Sequence, residues 1–169
     1  MTLAVRPAGP GDRAFILATV GRLGDFGPPP WRSAEEIGEA DARGLRAHFE
    51  SPEPGAALFV AEEGGAALGF VYLEALRDFF DREEHGHVSV LAVAGPAEGR
   101  GVGKALMRAA EDWARERGYR RLTLNVFEGN ARARAVYVHL GYRPETMRYV
   151  KFLDGDGRKE GDTLEPGRR

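Results

Sequence analysis

The feature that most restricts the fold of this chain is a strand, a glycine-rich turn, a helix and a second strand, in that order between residues 87 and 127. The first strand, HVSVLAVAG, is rich in β-branched residues and leads into a turn with three glycines in five residues. The helix after it has an apolar face formed by Val102, Leu106, Ala109 and Trp113, and Gly118 stands where a left-handed helix end is expected. With RLTLNVF as the second strand, this unit predicts a right-handed parallel crossover.

The N-terminal half predicts one short strand, two helices and a β-hairpin. LAVRPA is the strand, and Asp12 is placed to cap a helix from Arg13 to about Leu23. Ser33 and Glu36 form a capping-box pattern at the start of a second helix. Two apolar runs, ALFVA and AALGFVYLEAL, flank a Glu-Glu-Gly-Gly turn, and this pattern is typical of a hairpin.

The C-terminal part predicts one more helix and one more strand. NARARAVYVHLGY is a helix that ends at Gly141, and TMRYVKFL (146–153) is a last strand. The order β-α-α-β-β-β-α-β-α-β gives an α/β fold, a mixed sheet with helices on both faces. We expect residues 1–153 to form one domain, because 169 residues suit a single core. Residues 154–169 are Gly-rich and charged and are predicted to be a disordered tail.

Composition and charge argue against several classes of function. Lysine and arginine number 24 against 26 acidic residues, so a net charge of −2 gives no field that attracts nucleic acid or anionic lipid. The arginines at the end of the central helix lie among acidic residues, as expected of a solvated helix end. There is no cysteine, and no apolar run is long enough to span a membrane. We therefore predict a soluble cytoplasmic protein with no nucleic-acid or membrane partner.

The glycine-rich turn predicts an anion site at the start of the central helix. A turn without Cβ atoms lets the backbone approach a ligand, and the first four N–H groups of a helix have no partner within it. Two common phosphate loops do not fit. The P-loop pattern would need glycine at Glu98, and the dinucleotide pattern from Gly99 would need glycine at Lys104. Nucleotide hydrolysis and hydride transfer lose support, while a purely structural tight turn stays open.

The segments LAV (91–93), GRGVGKAL and LNVFEGNARARAVYVHLGYRPE together resemble the GNAT superfamily of N-acetyltransferases, most closely between His87 and Lys151. The resemblance implies that the turn wraps the pyrophosphate of acetyl-coenzyme A (acetyl-CoA), the co-substrate, and that no metal is needed. Gly101 and Gly103 match the last two positions of the family turn. Glu98 stands at the first position, where the family has Gln or Arg, and we expect its carboxylate to point to solvent or to bind the adjacent Arg100.

The resemblance also implies which residues contact acetyl-CoA. They lie at the strand end, in the turn and on the next helix: Leu91, Ala92, Val93, Glu98, Gly99, Arg100, Gly101, Val102, Gly103, Lys104, Asn130, Ala133 and Tyr137. In the family motif N-x-x-A-x-x-x-Y, the asparagine binds the pantetheine arm or positions the helix, the alanine leaves room for the arm, and the tyrosine lies near the thioester sulfur. Two helical turns separate Asn130 from Tyr137, so they share a face. A capping role for Asn130 and a core role for Tyr137 stay open.

Acetyl transfer to an amine needs a base, an oxyanion site and an acid. Deprotonating a lysine-like ammonium at pH 7 costs about 4–5 kcal/mol. His87 is the predicted base, because GNAT-like enzymes often place Glu or His at this strand position; Glu84, His85 or a water chain are alternatives. The family implies backbone N–H groups near Leu91 to Val93 for the oxyanion. Tyr137 is the predicted acid, since a phenol donates to a thiolate at a cost of about 2 kcal/mol.

Strand alternation places His87, Ser89, Leu91 and Val93 on one face of the sheet, unless a bulge interrupts the count. The base and the predicted oxyanion site would then lie along one side of the same strand.

Together these observations predict an N-acetyltransferase that moves the acetyl group directly from acetyl-CoA to an amine, since no cysteine is present to carry it. The alternative is a non-catalytic module that binds CoA or acyl-CoA as a sensor. The acceptor is an amine of a small molecule, a peptide or a protein. The segment that precedes the strand HVSVLAVAG contains acidic residues that are candidates to attract this cationic amine: Asp78, Asp81, Glu83 and Glu84. A homodimer is expected, because the family often forms one.

Overall fold

The computed structural model describes residues 2–153, which contain five strands and four α-helices. The strands are β1 (Ala4–Pro7), β2 (Ala57–Glu63), β3 (Ala66–Arg77), β4 (Glu84–Val93) and β5 (Leu122–Leu124). The α-helices are α1 (Arg13–Val20), α2 (Ala34–Glu50), α3 (Val102–Glu116) and α4 (Ala131–His139). Short 3₁₀ turns occupy Pro10–Asp12, Gly21–Gly24 and Gly95–Ala97. The predicted tail, 154–169, lies outside the described residues.

The strands form one sheet in chain order from β1 to β5. β1, β2, β3 and β4 pair antiparallel in succession, and β5 pairs in parallel with β4. Parallel pairing of consecutive strands requires a crossover connection, and α3 provides it. The parallel crossover predicted from residues 87–127 is therefore confirmed.

Two apolar cores cover the two faces of the sheet. On one face α3 packs through Leu106 and Trp113, and on the other α1 and α2 pack through Ile16 and Leu45. Burying such a side chain stabilises the fold by about 1.5–3 kcal/mol. Both faces are covered, so the predicted mixed sheet with helices on both faces is confirmed. No helix within residues 2–153 combines the length and apolarity that crossing a bilayer requires.

Two of the predicted local signals have the expected geometry. The hydroxyl of Ser33 accepts from the Glu36 amide (3.0 Å) at the start of α2, although the Glu36 carboxylate binds Arg32 and does not complete a capping box. Gly64 and Gly65 both have positive φ (59° and 80°), as a two-residue hairpin turn requires. They join β2 to β3, so the predicted hairpin is confirmed.

Asp12 does not cap α1 with its side chain, contrary to the prediction. Its carboxylate accepts from the Gly9 amide (2.8 Å) and from both terminal nitrogens of Arg6 (2.8 and 2.9 Å). These bonds, that of Arg6 above all, hold the pKa of Asp12 below its usual range. The arginine on β1 thus draws the carboxylate away from the helix start.

The predicted last strand, TMRYVKFL (146–153), is wrong. These residues have no regular secondary structure, and apolar side chains such as Tyr149 and Leu153 are largely exposed. A strand needs a neighbour for its N–H and C=O groups. The strand predicted from RLTLNVF is shorter than expected, and the three residues of β5 leave little edge for such a neighbour. The first helix is also shorter, because it tightens into a 3₁₀ turn after Val20.

Candidate active site

β4 and β5 pair over only three residues of β4, from Gly86 to Val88. Beyond Val88, β4 continues to Val93 paired with β3 alone, so its other edge is open; we call this open edge the cleft between β4 and β5. The amide of Ala94 donates to the Leu68 carbonyl of β3 (2.8 Å), so alternation turns the backbone groups of Leu91 and Val93 toward the open edge. The unpaired N–H groups of this edge lie where the oxyanion site was predicted.

The glycine-rich turn lies beside this cleft and leads into α3. Gly99 and Gly101 have positive φ (76° and 81°), which a residue with a Cβ adopts only with strain. The first i to i−4 bond of the helix runs from the Ala105 amide to the Gly101 carbonyl (3.0 Å). Three amides of the first turn therefore have no acceptor within the helix: Val102, Gly103 and Lys104. Free amides at a helix start are the donors that an anion needs, and the pyrophosphate site at this turn stays a prediction.

The carboxylate of Glu98 does not bind Arg100, and this part of the prediction is wrong. Arg22, in the 3₁₀ turn after α1, donates to Oε1 (3.0 Å), and Arg132, in the first turn of α4, donates to Oε2 (2.9 Å). Arg132 and then Arg22 hold the pKa of Glu98 below its usual range. Arg22 also donates to the Val93 carbonyl (3.0 Å), at the end of β4. Arg100 pairs instead with Glu63 of β2.

The ion pairs of Arg22 and Arg132 with Glu98 explain how this chain accommodates an acidic residue in the turn. Arg22 and Arg132 both pair with Glu98, and Arg22 also lies 3.5 Å from Asp25, so the charge of Glu98 is neutralised within a small ion-pair network. The two arginines come from elements far apart in sequence, and nothing in the sequence indicated them.

The motif NARARAVY forms the start of α4, and Asn130 is its cap. The side-chain oxygen of Asn130 accepts from the Ala133 amide (3.1 Å). The capping alternative for this residue is thus correct, and the amide nitrogen of the side chain remains available as a donor. Ala133 and Tyr137 follow on the same helix, both partly buried.

Tyr137 packs at the border of the core under α3. Its ring lies 6.0 Å from that of Tyr142, edge to face, and Tyr142 donates its hydroxyl to Glu111 of α3 (3.2 Å). Burial raises the pKa of Tyr137 above its usual value. The phenol is therefore protonated at neutral pH, as a proton donor must be.

His87 lies between Glu74 of β3 and Thr123 of β5 in the register of the sheet. Its Nδ1 is 2.8 Å from the Thr123 hydroxyl, which also lies 3.5 Å from the Gly86 carbonyl. We assign the hydroxyl as donor to that carbonyl and acceptor from Nδ1–H, which leaves the imidazole lone pair on Nε2. Burial lowers the pKa of His87 although Glu74 opposes the shift, so the ring is neutral at pH 7.

A bulge in β4 divides the residues that alternation placed together. β4 has one extra residue relative to β3, at Ser89. Val88 belongs to the core under α3, and Val90 to the core under α1 and α2. His87 therefore faces α2, whereas Leu91 packs on the α3 side. Strict alternation is wrong here, and the bulge that could interrupt it is present.

Glu74 is a candidate site residue that the sequence did not indicate. It lies directly across from His87 and accepts a hydrogen bond from the Ser89 hydroxyl. Burial and then Glu74 raise the pKa of Tyr72 to about 12. Only the register of β3 against β4 reveals this contact, because Glu74 stands in an ordinary strand pattern.

The acidic loop before β4 is largely compensated by arginines. Arg121 donates to both oxygens of Asp81 (2.7 and 2.9 Å) and lies 3.8 Å from Asp78. Arg121 is the main reason that the pKa of Asp81 falls to about 2. Arg77 pairs with Glu84 (3.5 Å). The loop therefore offers less free negative charge to an amine than its sequence suggests.

The loop between α1 and α2, DFGPPPW (25–31), reaches the segments that follow β5. Phe26 stacks on Phe127 with ring centroids 5.1 Å apart, and Trp31 meets Phe152 edge-on at 5.9 Å. This loop therefore contacts the segments that follow β5 in the chain.

The sequence model of the acetyltransferase (GNAT) family matches residues 25–142 of this chain. The chain is 30% identical over 142 residues to the uncharacterized N-acetyltransferase YhfO of Bacillus subtilis, which covers 84% of this chain and 91% of that protein. It is 36% identical over 139 residues to a mycothiol acetyltransferase of Amycolatopsis mediterranei. That match covers 80% of this chain but 44% of the mycothiol enzyme, so the chain spans less than half of its length.

Among solved structures, the fold is similar to that of a GCN5-related N-acetyltransferase from Ralstonia eutropha. The TM-score is 0.69, and the match covers 91% of this chain and 100% of that one. The two sequences are 22% identical, so this similarity concerns the fold alone.

Proposed function

Because the chain belongs to the GNAT acetyltransferase family, and is thus an acetyl-CoA-dependent N-acetyltransferase, we propose that it transfers the acetyl group directly to an amine within a ternary complex. The observation that carries this proposal is the cleft between β4 and β5, which has unpaired N–H groups along β4 and the glycine-rich turn beside it. The sequence has no cysteine that could hold the acetyl group as a thioester, and this favours direct transfer.

The glycine-rich turn is the proposed site for the pyrophosphate of acetyl-CoA. The free amides at the start of α3 donate to the phosphates, and the helix dipole adds about 0.3–1 kcal/mol per charge at an exposed site. Arg22 and Arg132 neutralise the carboxylate of Glu98, and Lys104 adds a positive charge in the first turn of α3. Asn130 and Ala133 are proposed to line the pantetheine arm.

His87 is proposed to be the base that accepts the amine proton. Its neutral imidazole with a lone pair on Nε2 suits that role, and the hydrogen bond to Thr123 fixes the ring. Glu84 is a weaker candidate, since Arg77 already binds its carboxylate. His85 is buried, and its Nδ1 has no hydrogen-bond partner among the described residues.

The remaining two steps are assigned to the β4 edge and to Tyr137. As the amine nitrogen bonds to the acetyl carbon, the carbonyl oxygen becomes negative, and the N–H groups of Leu91 and Val93 are proposed to donate to it. The carbon–sulfur bond then breaks, and Tyr137 gives its proton to the thiolate. Burial raises the pKa of a phenol and of a thiol in the same sense, so the cost stays near the ~2 kcal/mol expected from their ordinary values.

The test is an assay of free thiol release from acetyl-CoA by the purified protein across a panel of amines. We expect release that depends on the amine, with one acetylated amine formed for each thiol. Direct transfer predicts that double-reciprocal plots of the initial rate against acetyl-CoA, at several fixed amine concentrations, give intersecting lines. Parallel lines would indicate a covalent acetyl-enzyme. Tight CoA binding without turnover of any amine would instead favour the non-catalytic sensor.

Two further expectations concern the whole protein. We propose that the enzyme acts in the cytoplasm and forms a homodimer, the latter because the family often does. Light scattering coupled to size-exclusion chromatography decides the oligomeric state.

A further inference from the structure

A cavity of about 270 Å³ lies between α2 and the sheet, on the face opposite α3. Its walls come from the C-terminal half of α2, from the loop that follows and from β3 and β4. It reaches Ser89 and Val90, the bulge residue of β4 and its neighbour, just before the strand edge that turns Leu91 toward the cleft. A molecule in this cavity therefore lies next to the proposed reaction centre, on the side away from the glycine-rich turn.

The charge of this cavity is negative and uncompensated. Asp41, Glu53 and Glu74 are among its lining residues, and no lysine or arginine is. None of the three carboxylates forms an ion pair with another residue of the described range 2–153, although most acidic side chains in that range do. The contrast is clear with Asp81, whose charge Arg121 neutralises.

The other polar groups that line the cavity do not neutralise the three carboxylates. His48 lines the cavity, and its Nδ1 is buried without a hydrogen-bond partner among the described residues. Burial lowers the pKa of His48, so its ring is neutral at pH 7. Burial also raises the pKa of Asp41, and no arginine or lysine of the described residues pairs with its carboxylate. A positively charged ligand would give these carboxylates the cationic partner that the described residues do not provide.

We propose that this cavity binds the acceptor and selects an amine that carries a second ammonium group, a proposal that rests on the acetyl transfer proposed above. The reacting nitrogen lies near Glu74 and Ser89, beside His87. The second ammonium keeps its proton and pairs with Asp41 and Glu53. During transfer one N–C bond forms and one C–S bond breaks; the reacting amine loses a proton to the base, and the thiolate gains one from the acid.

Charge complementarity of this kind favours a diamine over a monoamine of equal length. A monoamine would leave at least two of the three carboxylates without a partner, and its apolar end would lie against them. Asp41 and Glu74 are partly buried whereas Glu53 is exposed, so the pairs with Asp41 and Glu74 supply most of the preference. We therefore expect kcat/KM to be about tenfold or more higher for the diamine.

The experiment compares putrescine with n-butylamine and cadaverine with n-pentylamine, with thiol release as the readout. The variants are Asp41→Asn and Glu53→Gln, singly and together, and the matched control is Glu35→Gln. Glu35 is an exposed carboxylate in the first turn of the same helix and does not line the cavity. We expect the double variant to lose most of the preference for diamines, and the control to keep it.

Calorimetric titration of the protein with spermidine in the presence of CoA gives a second readout that does not need turnover. Spermidine should bind, and the double variant should weaken its binding. Thiol release without a preference for diamines, a preference that survives in the double variant, or a lysine peptide that outperforms putrescine would overturn the cavity proposal and leave acetyl transfer standing. Spermidine binding that is lost in the variant, without thiol release for any amine, would support the cavity and reject the proposed function.

Discussion

Tyr137 is the residue on which the proposed chemistry depends most. Its buried phenol is protonated at neutral pH, and we expect it to donate to the departing thiolate. Replacement Tyr137→Phe keeps the ring and removes the proton. Because general acids contribute about 10²–10⁴-fold, kcat should fall by at least about 10²-fold while the CoA dissociation constant stays within about twofold. Steady-state kinetics and calorimetry measure the two quantities separately.

Tyr142 provides the matched control for this experiment. It lies 6.0 Å from Tyr137, and its hydroxyl binds Glu111 rather than a reacting group. The substitution Tyr142→Phe removes the same atom from the same neighbourhood, so kcat should stay near the wild-type value. If both variants lose activity equally, packing of α4 against α3 explains the loss, and Tyr137 is not the acid.

His87 predicts a particular pH dependence. Histidine accepts a proton only when neutral, and burial lowers the pKa of His87. Wild-type kcat/KM should therefore stay constant as the pH falls to about 6.5, the ordinary pKa of histidine, and should decrease at lower pH. His87→Ala should remove this acidic limb and lower the rate by about 10²–10⁴-fold. Glu84→Gln should keep the limb; a limb that persists without His87 assigns the proton elsewhere.

Single residues show where sequence reasoning succeeds and where it fails. Asn130 was predictable as a cap, because an asparagine before a helical pattern has few other roles there. The partners of Glu98 were not, because Arg22 lies 76 residues away in sequence and only the fold brings it near. Glu74 was missed for a related reason: strand register, which sets its contact with Ser89, has no local signal.

At the scale of elements, the turn before α3 predicts whether removal of the Glu98 carboxylate strengthens or weakens CoA binding. If Glu98 merely repelled the pyrophosphate, Glu98→Ala would strengthen CoA binding. The carboxylate instead orders Arg22 and Arg132. We expect Glu98→Ala to weaken CoA binding by up to about fivefold, because exposed ion pairs contribute little. Glu116→Ala, an equal change of charge at the far end of α3, should leave the affinity unchanged in the same titration.

A helix or strand was predictable when residues within its own segment determine it, and was not when it depends on contacts with distant residues. The hairpin between β2 and β3 follows from Gly64 and Gly65, which supply the positive φ of the turn. The start of α2 follows from Ser33. The expected strand at 146–153 has the right composition, but a strand forms only against a neighbour, and the three residues of β5 provide little edge.

At the scale of the whole molecule, β4 runs between the two proposed half-sites, the acetyl-CoA site beside α3 and the acceptor cavity under α2, which lie on opposite faces of the sheet. The turn that follows it leads into α3, while the cavity beside its bulge is lined by α2. The bulge at Ser89 leaves His87 on the sheet face that holds the cavity and places Leu91 on the α3 face, so one strand would serve both proposed ligands. Sequence motifs indicated the half near α3, because phosphate binding uses glycines at short spacing. The half under α2 depends on tertiary contacts and left no motif.

Binding of CoA should therefore stabilise the molecule as a whole, because the turn, α3 and α4 all contribute to its proposed site. At a concentration 100 times the dissociation constant, a ligand adds about 2.7 kcal/mol to stability. For a chain of this size that corresponds to a rise in Tm of about 5–10 °C in differential scanning calorimetry. We propose that residues 1–153 form the complete binding domain, so a chain ending at Leu153 should show the same rise. An unchanged Tm of the full chain at saturating CoA would contradict the proposed cofactor site, and a rise confined to the full chain would contradict the domain boundary.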